Sequence, residues 1–297
     1  MNPLPERHVA VLRELRKLWP EDRLLVIGAA AVACQIGLTW RGTVDLDLSI
    51  ATGLAGYAGK LQGLGWRRER GASQRWTTRK GDPVDVIPGA PALVRRGALS
   101  WPEGGVAMSL VGFRLAYADS VPVALSPRTK ARVASLRSLV VLKMAAYLDR
   151  PWERETDLGD MAHMLSRFLP DEAAERWSDG VVGLGLDYED VGPFLLGEQI
   201  GGLVDRAERR LVRRFLEALH DPDDRLATLA RMSLMAPPGW RAPERLGHRW
   251  LAFRRGFESG PPARPKEGSP RRTRAGACRV RGRPGNMRKL RTTVEGQ

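Results

Sequence analysis

The sequence predicts an α+β protein with a mixed β-sheet flanked by helices in its first part, a helical second part and a disordered basic tail. Short runs rich in β-branched and aromatic residues, bounded by Gly and Pro, fill the first part. Apolar residues at helical spacing fill the second part. The end of the chain is rich in Arg, Gly and Pro and has no apolar period. The predicted parts are residues 1–125, 126–238 and 239–297.

In the first part, apolar residues at helical spacing predict an amphipathic helix over residues 6–18. The run RLLVI predicts a strand over 23–27, which Gly28 ends, and the Ala-rich run over 29–38 predicts a helix. The other predicted elements are a strand over 43–50, a weak helix over 53–65, antiparallel strands over 66–70 and 73–80, and a strand over 83–89.

The second part carries longer helical patterns. A helix is predicted over 135–148, and a second over 156–169 with Thr156 as its cap. Further helices are predicted over 189–206, 208–219 and 224–235. The chain changes from short strands to these helices, and the boundary between the two parts is placed near residues 120–132.

The positive charge of the chain belongs to its end. The whole chain carries a formal charge of +14, but residues 241–297 hold 16 Lys and Arg against 4 acidic residues, and residues 1–240 are nearly neutral. Such a tail could contact RNA or DNA phosphates, or it could be a solvated extension without a specific role. The nearly neutral body does not itself indicate a nucleic-acid binder.

Several protein classes are not indicated. The two cysteines, Cys34 and Cys278, do not suggest a disulfide framework, and the four scattered histidines do not suggest a zinc site. The longest uncharged run, over 24–40, is shorter than the roughly 20 apolar residues of a membrane-spanning helix. The charged N-terminus is unlike a signal peptide. We therefore expect a cytoplasmic protein with no membrane partner.

Two aspartates one residue apart stand out in the predicted strand over 43–50. Asp45 and Asp47 would project to one face, while Val44, Leu46 and Leu48 would face a core. Carboxylates so close repel each other unless protons or cations neutralise them, and Mg²⁺ prefers such oxygen ligands. Asp85, between two valines in another predicted strand, is a candidate third ligand, and Asp82 before Pro83 reads as a turn residue. The alternative is a solvated strand face without metal.

Gly28 provides a second indication because it separates a strand from a helix. The free N–H groups and dipole of a helix N-terminus at this point suit a phosphate group. The strand that carries Asp45 and Asp47 follows that helix in the chain.

These segments together resemble a known family. The run VIGAAAVACQIGLTWRGTVDLDLSI resembles the glycine-turn and R-x-T-x-D-x-D motif of the DNA polymerase β-like nucleotidyltransferase superfamily. The run LRSLVVLKMAAYLDRPWERETDLGDM is similar to the Lys-bearing helix, with its following Arg and Asp residues, of abortive-infection-type nucleotidyltransferases, the toxins of type IV toxin–antitoxin pairs. One position departs from the motif: Ala29 stands where the family has Gly or Ser, so a phosphate-binding hydroxyl is missing and only the backbone N–H remains.

The resemblance implies transfer of a nucleotide from an NTP to an acceptor, such as a tRNA 3′ end, another RNA, a protein or a small molecule. It implies two Mg²⁺ or Mn²⁺ ions, with Asp45 and Asp47 holding both and Asp85 holding the ion on the acceptor side and serving as base. Arg41 and Thr43 would lie near the phosphates or orient the strand. Residues 1–125 would be the catalytic domain and 126–238 a helical domain that completes the NTP cleft. The family also suggests a separate antitoxin protein as a partner.

Lys143 is the one charged residue in a run that is apolar nearly all round, so its helix is expected to be buried. Tyr147 and Arg150 follow at i+4 and i+7 and could form a stripe that binds triphosphate. Alternatively, Lys143 reaches water along apolar surface or pairs with Asp157 or Asp160. Asp157, Arg154 and Asp160 match the family motif, although Asp157 and Asp160 also suit the beginning of a helix.

Two other functions stay open at this point. The D-x-D pattern is also similar to that of haloacid dehalogenase-type phosphatases, in which the first Asp is the nucleophile. The other is a non-catalytic module that binds an NTP or a protein, in which Ala29 would be a sign of lost activity.

Overall fold

We describe residues 4–102, 107–127, 129–221, 223 and 227–260 of a computed structural model of the chain. They confirm the predicted α+β class, because one mixed seven-stranded sheet is combined with helices. All of these residues fall within one compact unit, so the division of residues 1–238 into a catalytic and a helical domain stays a prediction.

Nine strands are found in the described residues. They are β1 (Leu24–Val26), β2 (Leu46–Ile50), β3 (Arg67–Arg68), β4 (Arg75–Thr77), β5 (Pro83–Pro88), β6 (Ala98–Ser100), β7 (Ala107–Ser109), β8 (Val121–Ser126) and β9 (Thr129–Val133). Seven of them form one sheet in the order β3-β4-β5-β2-β1-β9-β8, and β6 pairs with β7 alone. The central strand β2 is antiparallel to β1 and parallel to β5, and β4 is antiparallel to β5.

Twelve α-helices accompany the strands in the same described ranges. They are α1 (Glu6–Leu15), α2 (Gly28–Ile36), α3 (Tyr57–Gly63), α4 (Pro91–Arg96), α5 (Phe113–Ala118), α6 (Leu136–Asp149), α7 (Glu155–Ser166), α8 (Asp179–Val182), α9 (Tyr188–Leu203), α10 (Arg206–His220), α11 (Thr228–Met235) and α12 (Pro243–Ser259). None of them is long and apolar enough to span a bilayer.

The element that links sheet and helices is α6. It contacts α2 and α5 on the side of the sheet and α7, α9 and α10 on the helical side. Its side chains are therefore buried nearly all round, including that of Lys143, as the absence of an apolar stripe predicts. The N-terminus of α6 is capped by Ser135, whose hydroxyl accepts from the N–H of Ser138.

The segment 120–132, where the boundary was expected, contains strand β8 and most of β9. These two strands pair with each other, and β9 lies parallel beside β1. The sheet thus continues past residue 125. Strand β1 is only three residues long and has a neighbour on each side, β2 and β9.

The predicted direction of Val44 is also wrong. Strand β2 begins at Leu46, later than residue 43, so Val44 precedes it and is 65% exposed. Leu46 and Leu48 are fully buried, as expected. The predicted cap Thr156 is wrong too, since α7 begins at Glu155 and has no side-chain cap.

The predicted start of the disordered tail at residue 239 is wrong for residues 239–260. Residues Pro243–Ser259 form α12, whose Trp250, Phe253 and Phe257 are fully buried. This helix packs on α9 along glycines of both helices, and the Gly content of the end of the chain had predicted disorder. The rest of the predicted tail, residues 261–297, lies outside the described residues.

Candidate functional site

Three carboxylates meet on one face of the sheet. Asp47 in β2 lies directly opposite Asp85 in the parallel strand β5, and Asp45 precedes β2 by one residue, two residues from Asp47. One oxygen atom of each carboxylate lies within 4.8 Å of the others. The structure therefore brings together the three aspartates that the sequence selected, in an arrangement that could bind a metal ion.

The charges of this cluster are only partly balanced. Burial, followed by the neighbouring charges of Asp45 and Asp85, raises the pKa of Asp47 to about 7, while Lys143 and Arg154 oppose the shift. Near neutral pH the cluster thus tends to hold a proton, and a cation in the same place would replace it.

The turn between β1 and α2 lies against the cluster. Gly28 has a φ of +63°, and a Cβ atom there would be 2.0 Å from Asp47 Oδ2. The preceding residue, Ile27, donates its N–H to the carbonyl of Asp47 at 3.0 Å. The first turn of α2, whose N–H groups have no partner within the helix, therefore begins beside the carboxylates.

A cavity of about 560 Å³ opens in front of this turn. Its size is within the range of small-molecule sites. Its walls come from the sheet, the start of α2, the inner face of α6 and the segment that follows α6. The polar or turn residues among them include Gly28, Ala29, Arg41, Asp45, Asp47, Gln74, Arg75, Asp85, Ser109, Lys143, Asp149, Arg150, Arg154, Thr156 and Asp157.

A second cavity, of about 910 Å³, adjoins the first. The two share Gln74, Arg75, Asp85, Arg150 and Arg154 in their walls. The larger cavity is further lined by residues of the β3–β4 hairpin and by Gln62, Trp101 and Glu153. Five of its lining residues are arginines, at positions 68, 70, 75, 150 and 154. The two spaces therefore meet at Arg75 and Asp85.

Lys143 is buried and forms ion pairs with two carboxylates. Such pairing was the expected alternative to contact with a phosphate. The Nζ of Lys143 lies 2.6 Å from Asp157 Oδ1 and 2.8 Å from Asp160 Oδ2. Burial alone would lower the pKa of Lys143, but the two carboxylates more than offset it and the pKa is raised. Lys143 is thus a fixed ammonium ion in the wall of the smaller cavity.

Asp160 connects Lys143 to Arg41. The Arg41 guanidinium binds both oxygens of Asp160, with an Nε–Oδ1 distance of 2.8 Å, and Trp40 Nε1 donates to Oδ1 at 3.0 Å. Burial opposes ionisation of Asp160, but Lys143 and Arg41 hold its pKa well below the usual range. Arg41 still lines the cavity, although its charge is engaged by Asp160.

Two predicted nucleotide contacts lie elsewhere. Tyr147 is buried among the helices, where its hydroxyl lies 2.9 Å from Thr228 Oγ1 and its ring contacts Phe215 edge-on. It lines neither cavity, because its side chain lies in the contact between α6 and α10. Thr43 also does not line the cavities. Its hydroxyl lies 3.2 Å from the carbonyl and 3.3 Å from Oδ1 of Asp45, which suits the other role expected for it, that of orienting the strand.

Arg75 is the residue of this site that sequence reasoning missed. It lies opposite Asp85 in the antiparallel pair of β4 and β5, with Nε 2.8 Å from Oδ1 and Nη2 3.1 Å from Oδ2. Nη2 also lies 3.4 Å from Asp45 Oδ2. The bond to Asp85 raises the pKa of Arg75, so the charge is permanent. Only the register of the hairpin could have revealed this pairing, and the sequence of its turn did not fix that register.

Comparison with known proteins adds little. No family model matches the chain, and no curated protein matches it. Among solved structures, a crystal structure described as a "putative nucleotidyltransferase" from H. pylori aligns with a TM-score of 0.33 and 10% sequence identity, covering 86% of this chain and 98% of that one. A likeness of that degree does not establish a family or an activity for this chain.

Proposed function

We propose that this chain is a metal-dependent nucleotidyltransferase that moves a nucleotide from an NTP to an acceptor. The observation that carries the proposal is the carboxylate cluster of Asp45, Asp47 and Asp85 beside the positive-φ turn at Gly28, facing a cavity. Hard oxygen donors for a divalent cation and free N–H groups for a phosphate are then adjacent.

The donor set fits Mg²⁺ or Mn²⁺. Three carboxylates converge, and in the described residues no lysine forms an ion pair with them. Burial, followed by the charges of Asp45 and Asp85, raises the pKa of Asp47, so a cation is favoured there. When bound, such ions neutralise charge on phosphate oxygens and help a hydroxyl to lose its proton. Asp45 and Asp47 would hold both ions, and Asp85 the one on the acceptor side.

The smaller cavity is the proposed nucleotide site. The first N–H groups of α2, at Gly28 and Ala29, would bind phosphate oxygens, as would Arg150 and Arg154. Lys143 would line the wall of this site, where Asp157 and Asp160 hold its ammonium group and balance its charge. The missing hydroxyl at Ala29 removes one side-chain contact and leaves the backbone donors.

The larger cavity is the proposed acceptor site. Asp85 lines both cavities, and in this proposal its carboxylate would take the proton of an acceptor hydroxyl. The acceptor is proposed to be an RNA, such as a tRNA 3′ end, or a protein. A role as the toxin of a toxin–antitoxin or phage-defence pair, with an antitoxin protein as partner, rests on the motif resemblance alone.

The test is transfer of label from α-labelled NTPs to total RNA and to total protein, with Mg²⁺ and with EDTA. The wild type is compared with Asp45→Asn, Asp47→Asn and Asp85→Asn, which keep side-chain volume and lose charge. We expect metal-dependent transfer in the wild type alone. Full activity in EDTA or in Asp45→Asn would refute the proposal, and a covalent phosphate on Asp45 would indicate the phosphatase alternative.

A further inference from the structure

Three charged side chains lie side by side across three strands. Arg75 of β4 is opposite Asp85 of β5, and Asp85 is opposite Asp47 of β2. Residues directly opposite each other on neighbouring strands project to the same face. The guanidinium of Arg75 therefore lies at the edge of the carboxylate cluster, with Asp85 between it and Asp47.

The contacts of Arg75 engage the carboxylate oxygens that a cation would use. Its Nε and Nη2 bind the two oxygens of Asp85 at 2.8 and 3.1 Å, and Nη2 extends to Asp45 Oδ2 at 3.4 Å. The side chain of Asp85 is only 10% exposed, so it has little access to water as a substitute partner. A divalent ion bound by both Asp85 and Asp45 would have to share or take these oxygens.

We propose that Arg75 is a positioning residue that acts as a built-in competitor of the acceptor-side metal ion, so that this ion binds by displacing the guanidinium from Asp85. The inference rests on the proposed function, because it assumes that the carboxylate cluster holds divalent ions. An ordinary structural ion pair between Arg75 and Asp85 would have no such effect on metal binding. While Arg75 is bound, both oxygens of Asp85 are engaged, and Asp85 is not free to accept a proton.

Arg75 has a place to move to. Its side chain is 38% exposed and lines both cavities. The larger cavity is also lined by Arg70, Arg150 and Arg154 and by two acids, Glu69 and Glu153, the second of which pairs with Arg150. A displaced Arg75 would pair with Glu69, whose Oε2 already lies 4.0 Å from Arg75 Nε and which lines the same cavity.

The test is Mn²⁺ binding to the full chain by calorimetry at pH 8, without nucleotide or acceptor. Arg75→Gln removes the competitor, and Arg75→Lys keeps its charge but loses the two-pronged contact. Arg70→Gln is the matched control, since Arg70 lines the same cavity and no contact between it and the three aspartates is found in the described residues. We expect Arg75→Gln to bind Mn²⁺ about tenfold more tightly than wild type, with Arg75→Lys in between. Arg70→Gln should stay within about twofold of wild type.

A second measurement separates competition from misfolding. In EDTA, Arg75→Gln should melt below wild type, because the carboxylates lose their neutralising partner, and it should gain more melting temperature on adding Mn²⁺. Equal Mn²⁺ affinity in wild type and Arg75→Gln, or an equal gain in Arg70→Gln, would overturn the inference while leaving the metal site intact. Absence of Mn²⁺ binding in every variant would instead overturn the proposed function and this inference with it.

Discussion

Gly28 and Asp47 lie so close together that a Cβ atom on Gly28 would be 2.0 Å from Asp47 Oδ2 and 2.6 Å from its Cγ. Gly28 also has a φ of +63°, which L side chains rarely adopt. The turn that begins α2 and the side chain of Asp47 therefore approach so closely that a residue with a Cβ atom does not fit at position 28. Any side chain at Gly28 would move the carboxylate or the helix start.

Gly28→Ala is expected to remove metal binding as well as stability. The positive φ alone should cost about 1–2 kcal/mol, and the contact with Asp47 adds to it. Gly56→Ala is the matched control, because Gly56 has a φ of +75° but nothing within 4 Å of its Cβ position. Urea unfolding with and without Mn²⁺ should show a loss of stability in both variants and a loss of Mn²⁺ stabilisation in Gly28→Ala alone. If Mn²⁺ stabilised Gly28→Ala as much as the wild type, the close approach of Gly28 to Asp47 would not be needed for metal binding.

The stability of the metal-free protein should depend on pH through Asp47. Its pKa is raised to about 7, mainly by burial and then by Asp45 and Asp85, so the protonated form is favoured by folding. The stabilisation is therefore complete below the unfolded pKa near 4 and is lost as pH rises through about 7. Relative to Asp47→Asn, which does not titrate, the wild type should lose free energy of unfolding between pH 5 and pH 8. Urea melts of both proteins in EDTA measure this difference, and a constant difference would exclude the raised pKa.

The sequence predicted the carboxylate cluster because its cause is local. Alternation in a strand places Asp45 and Asp47 together, and a short strand with one acid suggested Asp85. The residues that complete the site depend on pairings between distant segments. Arg75 depends on hairpin register, and the direction of Tyr147 depends on which helices enclose α6. Neither is determined by a single segment, so periodicity could not reveal them.

The same reasoning explains the error at the end of the chain. Glycine and arginine in residues 239–260 suggested disorder, although Trp250, Phe253 and Phe257 recur at helical spacing there. The glycines are needed because α9 and α12 approach too closely for larger residues. Composition was therefore misleading, because the glycines that lower the helix propensity of α12 are the residues that allow its close contact with α9.

Asp160→Asn should destabilise the fold strongly. Asp160 is fully buried and binds Lys143 and Arg41, so its loss leaves two cations without their shared partner. We expect a loss of about 3–5 kcal/mol, in the range for breaking a buried ion pair. Asp157→Asn is the control, since Lys143 then keeps Asp160, and it should lose clearly less. Urea denaturation at pH 7 compares the two, and equal losses would show that Asp160 is not the centre of the network.

Truncation after Pro238 should unfold the protein or lower its melting temperature by well over ten degrees. The deletion removes α12, and with it the buried side chains of Trp250, Phe253 and Phe257. Burial of each large apolar side chain contributes roughly 1.5–3 kcal/mol, so three of them approach the whole stability of a typical domain. Circular dichroism melts of the truncated and full-length chains decide this, and an unchanged melting temperature would mean that α12 does not pack on α9.

The contact between α9 and α12 should be destroyed by a single methyl group. A Cβ on Gly197 would be 2.0 Å from the carbonyl oxygen of Phe253, and one on Gly256 would be 2.0 Å from that of Phe194. Both obstacles are backbone atoms, so the helices themselves must separate and release the apolar surface between them. Gly197→Ala and Gly256→Ala should each lose about 3 kcal/mol or more, beyond the small gain that Ala brings to a helix.

Gly180→Ala in α8 is the control for these two substitutions, because nothing lies within 4 Å of its Cβ position and only the helix propensity changes. It should be neutral or slightly stabilising in urea denaturation. The double variant Gly197→Ala with Gly256→Ala adds a sharper test. If one methyl group already separates the helices, the second should cost much less than the first, since both act on the same contact. Additive losses would mean that each glycine is needed for its own helix and not for the approach of α9 to α12.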